Sequence, residues 1–188
     1  GWKPITDLKN PEKIKWMGIW RHSGGAMGGI HPKHSMKELT NHLTKSRGNG
    51  LLPDGSKEAA TAFYTMNMRD AKENGFDFTK VDFQTRTFDL YQGTANPVRA
   101  MRANNEALEE TAKKFDVPLL NCIAQPNVNS LQTKYSALTR SSPDYNQKDK
   151  DKNKCNTYQS FANHLWMGQT VWGDLDMFHT HDKRDVRA

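Results

Sequence analysis

Apolar residues recur at helical spacing in three stretches of the chain, residues 57–74, 96–115 and 158–166. Spacings of three and four residues place these side chains on one face of a helix. The first stretch is followed by Gly75, which is typical of a helix C-terminus. The second opens with an Asn-Pro pair, which is typical of an N-cap followed by the first helical residue. Three helices are therefore predicted.

Four short apolar runs alternate with polar or helical segments, and they are residues 13–20, 76–83, 119–124 and 135–140. Strands that alternate with helices predict an α/β fold with a parallel sheet built from βαβ units. Short strands suit a (β/α)8 TIM barrel, in which the loops at the C-terminal ends of the strands carry the chemistry. The chain supplies about four or five strand-helix units, fewer than the eight of a closed barrel. Residues 1–188 are therefore predicted to be a single fragment of such a catalytic domain.

An open doubly wound sheet is the structural alternative. No G-x-G-x-x-G follows a strand, and the glycines after Trp20 lack phosphate-binding spacing, so no nucleotide cofactor is predicted. His31 and His34, like His179 and His181, are spaced as metal ligands can be, but no Cys completes a four-ligand set. We interpret these residues as exposed or hydrogen-bonded imidazoles, and no metal or other cofactor is predicted.

Composition narrows the range of partners. The formal charge is +6 and the pI about 9.3, but Lys and Arg are scattered and form no basic stripe with interleaved aromatics, which argues against a nucleic-acid partner. Residues 146–154 alternate in sign and are predicted to be a charged surface loop. No apolar run approaches the roughly 18 to 20 residues of a membrane span, and the first residues lack the pattern of a signal peptide. Cys122 and Cys155 form neither a disulfide framework nor a zinc site, and are predicted to be free thiols.

Carboxylates fall at or after the predicted strands: Asp82, Asp144 and the pair Asp174 and Asp176. The strand ends of a barrel converge on one face, so these residues can meet although they lie far apart in sequence. Two carboxylates on one face suit glycoside hydrolysis, and a separation of roughly 5 to 5.5 Å gives a retaining reaction. Lys80 can favour the ionised form of Asp82. The alternative is that each carboxylate is only an N-cap or turn residue.

Three tryptophans, Trp16, Trp20 and Trp172, lie close to predicted strands. Their rings offer flat apolar platforms for sugar rings, and the alternative is that they belong to the hydrophobic core.

Four segments, in order, resemble one known family. They are Gly18–Trp20 with the Gly28-Gly29-Ile30-His31-Pro32 turn, Lys80-Val81-Asp82-Phe83-Gln84, Arg140-Ser141-Ser142-Pro143-Asp144-Tyr145, and Asp174-Leu175-Asp176-Met177-Phe178-His179. The second is similar to a Lys-Val-Asp-x-Gln motif, the third to Arg-x-Ser-Asp-Asp-Phe and the fourth to Trp-Asp-Met-Phe-His. The chain thus resembles the raffinose synthase and alkaline α-galactosidase (seed imbibition protein) branch of glycoside hydrolase family thirty-six.

The resemblance implies a retaining glycoside hydrolase or galactosyl-transferring transglycosidase that acts on α-galactosides such as raffinose-family sugars. It implies Asp82 as the nucleophile that forms a covalent glycosyl-Asp intermediate, and Asp144 as the acid/base. The expected substrate-binding residues are Trp20, Lys80, Gln84, Arg140, Trp172, Asp174 and Asp176. The chain would supply roughly strands three to seven of the barrel, and the missing strands are expected from a longer parent chain.

The chain departs from the family pattern at three positions. Pro143 replaces the first acid of the Asp-Asp pair, Tyr145 replaces Phe, and Leu175 stands where the family usually has Trp. These departures, together with the absent strands, leave a second hypothesis open. In it the protein is a non-catalytic carbohydrate-binding protein or a degenerate barrel fragment.

Overall fold

A computed structural model of the chain describes residues 2–146 and 149–175. Its strands are β1 (Gly18–His22), β2 (Leu43–Lys45), β3 (Leu51–Pro53), β4 (Phe78–Asp82), β5 (Leu119–Asn121), β6 (Leu138–Arg140) and β7 (Trp172–Asp174). Its α-helices are α1 (Lys3–Thr6), α2 (Lys57–Glu73), α3 (Gln84–Tyr91), α4 (Pro97–Phe115), α5 (Asn127–Ser130) and α6 (Lys150–Met167), and a 3-10 helix covers Lys37–His42. None of the described helices is both long and apolar enough to cross a membrane.

Five strands form one parallel sheet in the order β1-β4-β5-β6-β7. Each strand lies beside the next one of this sheet along the chain, and every crossover between them contains at least one helix. This is the succession of βαβ units in a (β/α) barrel. The predicted fold class, an α/β partial barrel of about five strands, is confirmed. In the described part of the chain, β1 and β7 are the two edges of the sheet.

Helices α2 and α4 cover one face of the sheet and pack on each other. Alternate strand residues point into this layer, among them Ile19, Val81 and Leu119, and they join a core that includes Phe63 and Leu108. Because side chains of a strand alternate between its two faces, the remaining strand residues belong to the opposite face. The covered face therefore builds the core, and the other face is left for the site.

The helix ends agree with the sequence signals. The Ser56 hydroxyl accepts a hydrogen bond from the Ala59 amide at the start of α2, and the Asn96 side chain accepts one from the Arg99 amide at the start of α4. Gly75 has a φ of +81°, a left-handed conformation that glycine adopts without steric cost. The predictions of α2 and α4 are confirmed.

The uncovered face is apolar at the N-terminal ends of the strands. Phe78, Leu120 and Leu138 line a cavity of about 600 Å³ there, together with Trp16 and Tyr135. Trp16 and Trp172 are largely exposed in the described part of the chain. In a complete barrel this face would be the interior, so its apolar residues suit a covered position.

Several elements differ from the sequence expectations. A hairpin of β2 and β3 and the helix α3 were not predicted. The segment 146–154 was expected to be a loop, but helix α6 begins at Lys150, because the Asp149 side chain accepts hydrogen bonds from two backbone amides of the first turn. The predicted helix over 158–166 is present as part of α6.

The apolar face of α6 does not pack against the described core. Tyr158, Phe161 and Leu165 are largely exposed. The helix contacts the rest of the described chain through amides instead, since Asn156 donates to Pro143 O at 2.7 Å and Asn163 donates to Ser141 O at 2.7 Å. The apolar spacing correctly predicted a helix, but the residues that α6 buries are Asn156, Ser160 and Met167 instead of the regularly spaced apolar ones.

Candidate active site

Asp82 ends strand β4 and is held at both carboxylate oxygens. The Trp20 indole Nε1 donates to Oδ2 at 2.9 Å, and the Phe83 backbone amide donates to Oδ1 at 2.7 Å. Phe83 has a φ of +59°, a left-handed conformation that turns the chain sharply from β4 into α3. The side chain of Asp82 is only 8% exposed. These contacts fix the direction of the carboxylate at the C-terminal end of the sheet.

His22 lies beside Asp82, because the two residues are register partners in β1 and β4. Its ring stacks on Phe83 with centroids 5.0 Å apart and planes 15° apart. Burial lowers the pKa of His22, and this outweighs the opposite effect of the Asp82 charge, while the Arg86 charge lowers it further. Nδ1 accepts a hydrogen bond from the Gly24 amide at 3.0 Å, so the proton of the neutral ring is on Nε2. That nitrogen is buried without a hydrogen-bond partner among the described residues.

Cys122 follows strand β5 and connects Asp82 to the next strand. Burial raises the pKa of the Cys122 thiol to about 12, and a hydrogen bond to Asp82 and the charge of that carboxylate act in the same direction. Arg140 Nη1 lies 3.4 Å from Cys122 Sγ. The thiol is therefore a neutral group that bridges the strand end at Asp82 and the one at Arg140.

Arg140 ends strand β6 and holds Asp144 in an ion pair. Its side chain is 3% exposed, whereas that of Asp144 is 63% exposed. Nε donates to Ser142 O at 3.0 Å, and Nη2 donates to Asp144 Oδ1. Asn156 of α6 supports this loop by donating to Ser142 Oγ at 3.0 Å. The buried guanidinium of Arg140 thus binds the exposed carboxylate of Asp144 at the same end of the sheet as Asp82.

The other predicted site residues fall in different places. Lys80 is partly buried on the uncovered face, in register with Trp20, and Asp174 is in register with Arg140 at the end of β7. Trp172, at the start of β7, is exposed on the uncovered face, in register with Leu138. The predicted residue Asp176 lies outside the described residues.

Gln84 is turned into the protein. It is 3% exposed and its amide is bonded to Val81 O, Asn121 and Asn129. Its motif position therefore has a structural explanation that does not involve a substrate.

The structure adds His22 and Cys122 to the residues expected at the site. Each is two residues beyond a strand residue of the uncovered face, Trp20 and Leu120, so strand alternation was the available signal. Across residues 2–146 and 149–175, no three His, Cys, Asp or Glu side chains cluster as metal ligands. The pair His179 and His181 lies outside those ranges, and His31 and His34 lie in the loop after β1.

A family model matches most of the chain. Residues 33–185 match the family model described as "Raffinose synthase or seed imbibition protein Sip1". A curated relative, "Probable galactinol--sucrose galactosyltransferase 1" of Arabidopsis thaliana, is 24% identical over 196 aligned positions, which cover 94% of this chain and 26% of that protein. This chain therefore spans about a quarter of the relative's length.

A solved structure has the same fold. It is "TtGalA, alpha-galactosidase from Thermus thermophilus in complex with stachyose", which superposes with a TM-score of 0.55 at 19% sequence identity. The match covers 84% of this chain and 38% of that one. At this identity the likeness concerns the fold alone, and the fold of this chain corresponds to part of that larger structure.

Proposed function

The chain belongs to the raffinose synthase or seed imbibition protein family, as its motifs predicted, and on that premise we propose that it carries the reacting carboxylates of an α-galactoside-processing enzyme. Its relatives are named as a galactosyltransferase and an α-galactosidase, and the latter was solved with stachyose, an oligosaccharide. The proposed substrate is accordingly an α-galactoside oligosaccharide. Because this chain spans only part of each relative, the activity is proposed for the natural full-length protein that contains it.

The observation that carries the proposal is the placement of Asp82. It is the last residue of a parallel strand, and its carboxylate is oriented by Trp20 and by the Phe83 amide. Both donors hold the carboxylate in one direction, and a nucleophile has to be held in a fixed orientation toward the reacting carbon. A carboxylate fixed at the C-terminal end of a barrel strand occupies the place where such folds carry out chemistry.

The proposed reaction is a double displacement. Asp82 attacks the anomeric carbon while Asp144 protonates the oxygen of the departing sugar, which leaves a covalent glycosyl-Asp82 ester. Asp144, now a carboxylate, then removes a proton from water or from a sugar hydroxyl. The oxygen of that acceptor attacks the anomeric carbon and releases Asp82. Water gives hydrolysis and a sugar hydroxyl gives galactosyl transfer, so both outcomes share one intermediate.

The remaining groups have supporting roles in this proposal. Lys80 and Arg140 donate hydrogen bonds to sugar hydroxyls, and Asp174 accepts them. Trp20 offers a ring edge beside Asp82, and Trp172 an apolar platform. Asp176 is proposed to contribute to the same pocket. For Gln84, by contrast, the observed contacts support a structural role.

The nucleophile is tested by replacing Asp82 with Asn in the natural full-length protein. Turnover of an aryl α-galactoside is expected to fall by at least about a thousandfold, because the amide is a poor nucleophile that cannot form the ester. The matched control is Asp89→Asn, which alters an exposed carboxylate of α3 and is expected to leave turnover within about twofold. Unchanged turnover in Asp82→Asn would remove the assignment.

The configuration of the galactosyl azide formed in the presence of azide distinguishes the nucleophile from the acid/base. In Asp144→Asn, azide attacks the glycosyl-enzyme and the product is an α-galactosyl azide, since two inversions give retention. In Asp82→Gly, azide fills the space of the missing carboxylate and attacks directly, so the product is a β-galactosyl azide. Sugar binding by the wild-type protein without any turnover would instead favour the alternative of a carbohydrate-binding protein, which the change to Pro143 motivates.

A further inference from the structure

Five buried polar side chains form a continuous chain through the protein from α5 to α4. They are Asn129, Gln84, Asn121, Ser136 and Glu109, and none is more than 5% exposed. A buried polar group destabilises the fold unless it is hydrogen-bonded. The burial of five adjacent polar side chains therefore requires a physical explanation.

Each member of the chain donates to the next. Asn129 Nδ2 donates to Gln84 Oε1 at 2.9 Å, and Gln84 Nε2 donates to Asn121 Oδ1 at 2.7 Å. Asn121 Nδ2 donates to Ser136 Oγ at 2.7 Å, and the Ser136 hydroxyl donates to Glu109 Oε1. Four successive bonds thus point the same way, toward the carboxylate.

Glu109 sets this direction. Its other oxygen, Oε2, accepts hydrogen bonds from three successive backbone amides, those of Lys134 at 3.0 Å, of Tyr135, and of Ser136 at 2.9 Å. The Ser136 hydroxyl donates to Oε1 and accepts from Asn121 Nδ2 with its lone pairs. Bonds aligned in this way polarise and strengthen one another.

Two members of this hydrogen-bonded chain, Gln84 and Ser136, lie next to the segments that carry the candidate site. Gln84 begins α3 two residues after Asp82, and its Nε2 also donates to Val81 O at 3.2 Å, which folds the side chain back over the turn at Phe83. Ser136, with its neighbours held by Glu109, is the second residue before β6, the strand that ends in Arg140.

We propose that this buried hydrogen-bonded chain positions the reacting pair, Asp82 and Asp144. It fixes the position of β6 along the strand direction relative to the turn that follows Asp82, and with β6 it fixes Arg140 and Asp144. Gln84 and Asn121 are thus positioning residues that touch no substrate. The inference rests on the proposed function, because it gives the hydrogen-bonded chain the role of positioning the carboxylates Asp82 and Asp144. Misplacement of reacting groups by about 1 Å can reduce a rate about a hundredfold, so such a device matters for catalysis.

The test compares two buried Asn→Leu variants of the natural full-length protein. Asn121→Leu removes two hydrogen bonds of the buried chain, those to Gln84 and Ser136. Asn104→Leu is the matched control, because Asn104 is equally buried and also makes two bonds, to Tyr91 Oη at 3.0 Å and to Ala100 O at 2.8 Å, outside the chain. For an aryl α-galactoside, Asn121→Leu is expected to lower kcat by about 10- to 100-fold with KM within about threefold. Asn104→Leu is expected to lose similar thermal stability and to keep kcat within about twofold.

Crystal structures of both variants supply a readout that does not depend on activity. With β4 superposed, Arg140 Cα is expected to shift by about 1 Å in Asn121→Leu and to remain in place in Asn104→Leu. Equal kcat values in the two variants, or an unmoved Arg140, would overturn the proposal. If the wild-type protein turns over no α-galactoside, the proposed function fails and the Arg140 displacement alone decides the positioning role. If Asn121→Leu does not fold, Ser136→Ala removes only one hydroxyl, and with it the bonds to Asn121 and Glu109, and is judged by the same two measurements.

Discussion

Among the described residues, three neutral hydrogen-bond donors orient the Asp82 carboxylate at the end of β4. Neutral donors surround it: the Trp20 indole, the Phe83 amide and the Cys122 thiol. Fixed dipoles therefore set the direction of the Asp82 carboxylate, while the buried cation Arg140 forms an ion pair with Asp144.

Cys122 is expected to resist alkylation over a wide pH range. Its pKa is raised to about 12, so the reactive thiolate is scarce at pH 8, and the side chain is also buried. Treating the folded protein with iodoacetamide at pH 8 should modify the half-buried Cys155 well before Cys122, as measured by mass spectrometry of tryptic peptides. In denaturant both cysteines should react at similar rates. Equal rates in the folded protein would contradict the raised pKa.

His22 predicts a loss of stability on acidification. Its pKa is lowered by burial in the folded state, so below pH 6.5, its ordinary value, the unfolded chain binds more protons than the folded one. The free energy of unfolding should therefore decrease as the pH falls from 7 toward 5. His22→Gln removes this titration and should flatten that part of the urea-unfolding profile. His31→Gln, which alters an exposed histidine, should leave the profile as in wild type.

At the scale of elements, local signals predicted some parts of the fold and missed others for a physical reason. Helices α2 and α4 were predicted because Ser, Asn, Pro and Gly at their ends act on the nearest backbone groups. Helix α3 was missed because it begins at Gln84, immediately after a strand, with Phe83 in a left-handed conformation and no capping side chain. The hairpin of β2 and β3 has only three residues per strand, too few to show an alternating pattern.

The candidate site, like the fold, was predicted in some parts and missed in others. The motifs predicted Asp82, Arg140 and Asp144 at or after strand ends. In the structure, Trp20 and Cys122 contact Asp82, and Arg140 contacts both Cys122 and Asp144. Gln84 was expected at the substrate, but its contacts lie in the interior, because side-chain direction after a left-handed turn does not follow strand alternation. Such a reversal depends on long-range partners, here Asn121 and Asn129, which no local pattern reveals.

The N-cap of α2 offers a test at this scale. Ser56→Ala removes the bond from the Ala59 amide and is expected to lower the free energy of unfolding by about 1 kcal/mol. Ser56→Gly should cost only a few tenths of a kcal/mol, because glycine lets water reach the freed amide. Urea unfolding measures both changes. If the two variants lose equal stability, the hydroxyl bond is not what stabilises this helix end.

The whole molecule presents an apolar face that nothing in its described residues covers. Trp16 and Trp172 are largely exposed, and Phe78, Leu120 and Leu138 line an open cavity of about 600 Å³. Sheet edges and apolar faces of this kind favour association with further chain. The curated relative is about four times as long as the segment that aligns with this chain. A parent protein of similar length would have further residues available to cover this face.

A pair of lysine substitutions in the natural full-length protein tests whether this face is covered there. In the described chain Trp16 is 65% exposed and Leu131, in the loop after α5, is 73% exposed, so the two start from similar surroundings. If further strands close a barrel over the cavity, Trp16→Lys should lower the free energy of unfolding by at least about 2 kcal/mol, because it places a charge in an apolar interior. Leu131→Lys should change it by less than about 0.5 kcal/mol, as surface substitutions do. Urea unfolding of both variants gives the comparison, and equal small effects would mean that the cavity beside Trp16 stays open to water in the complete protein.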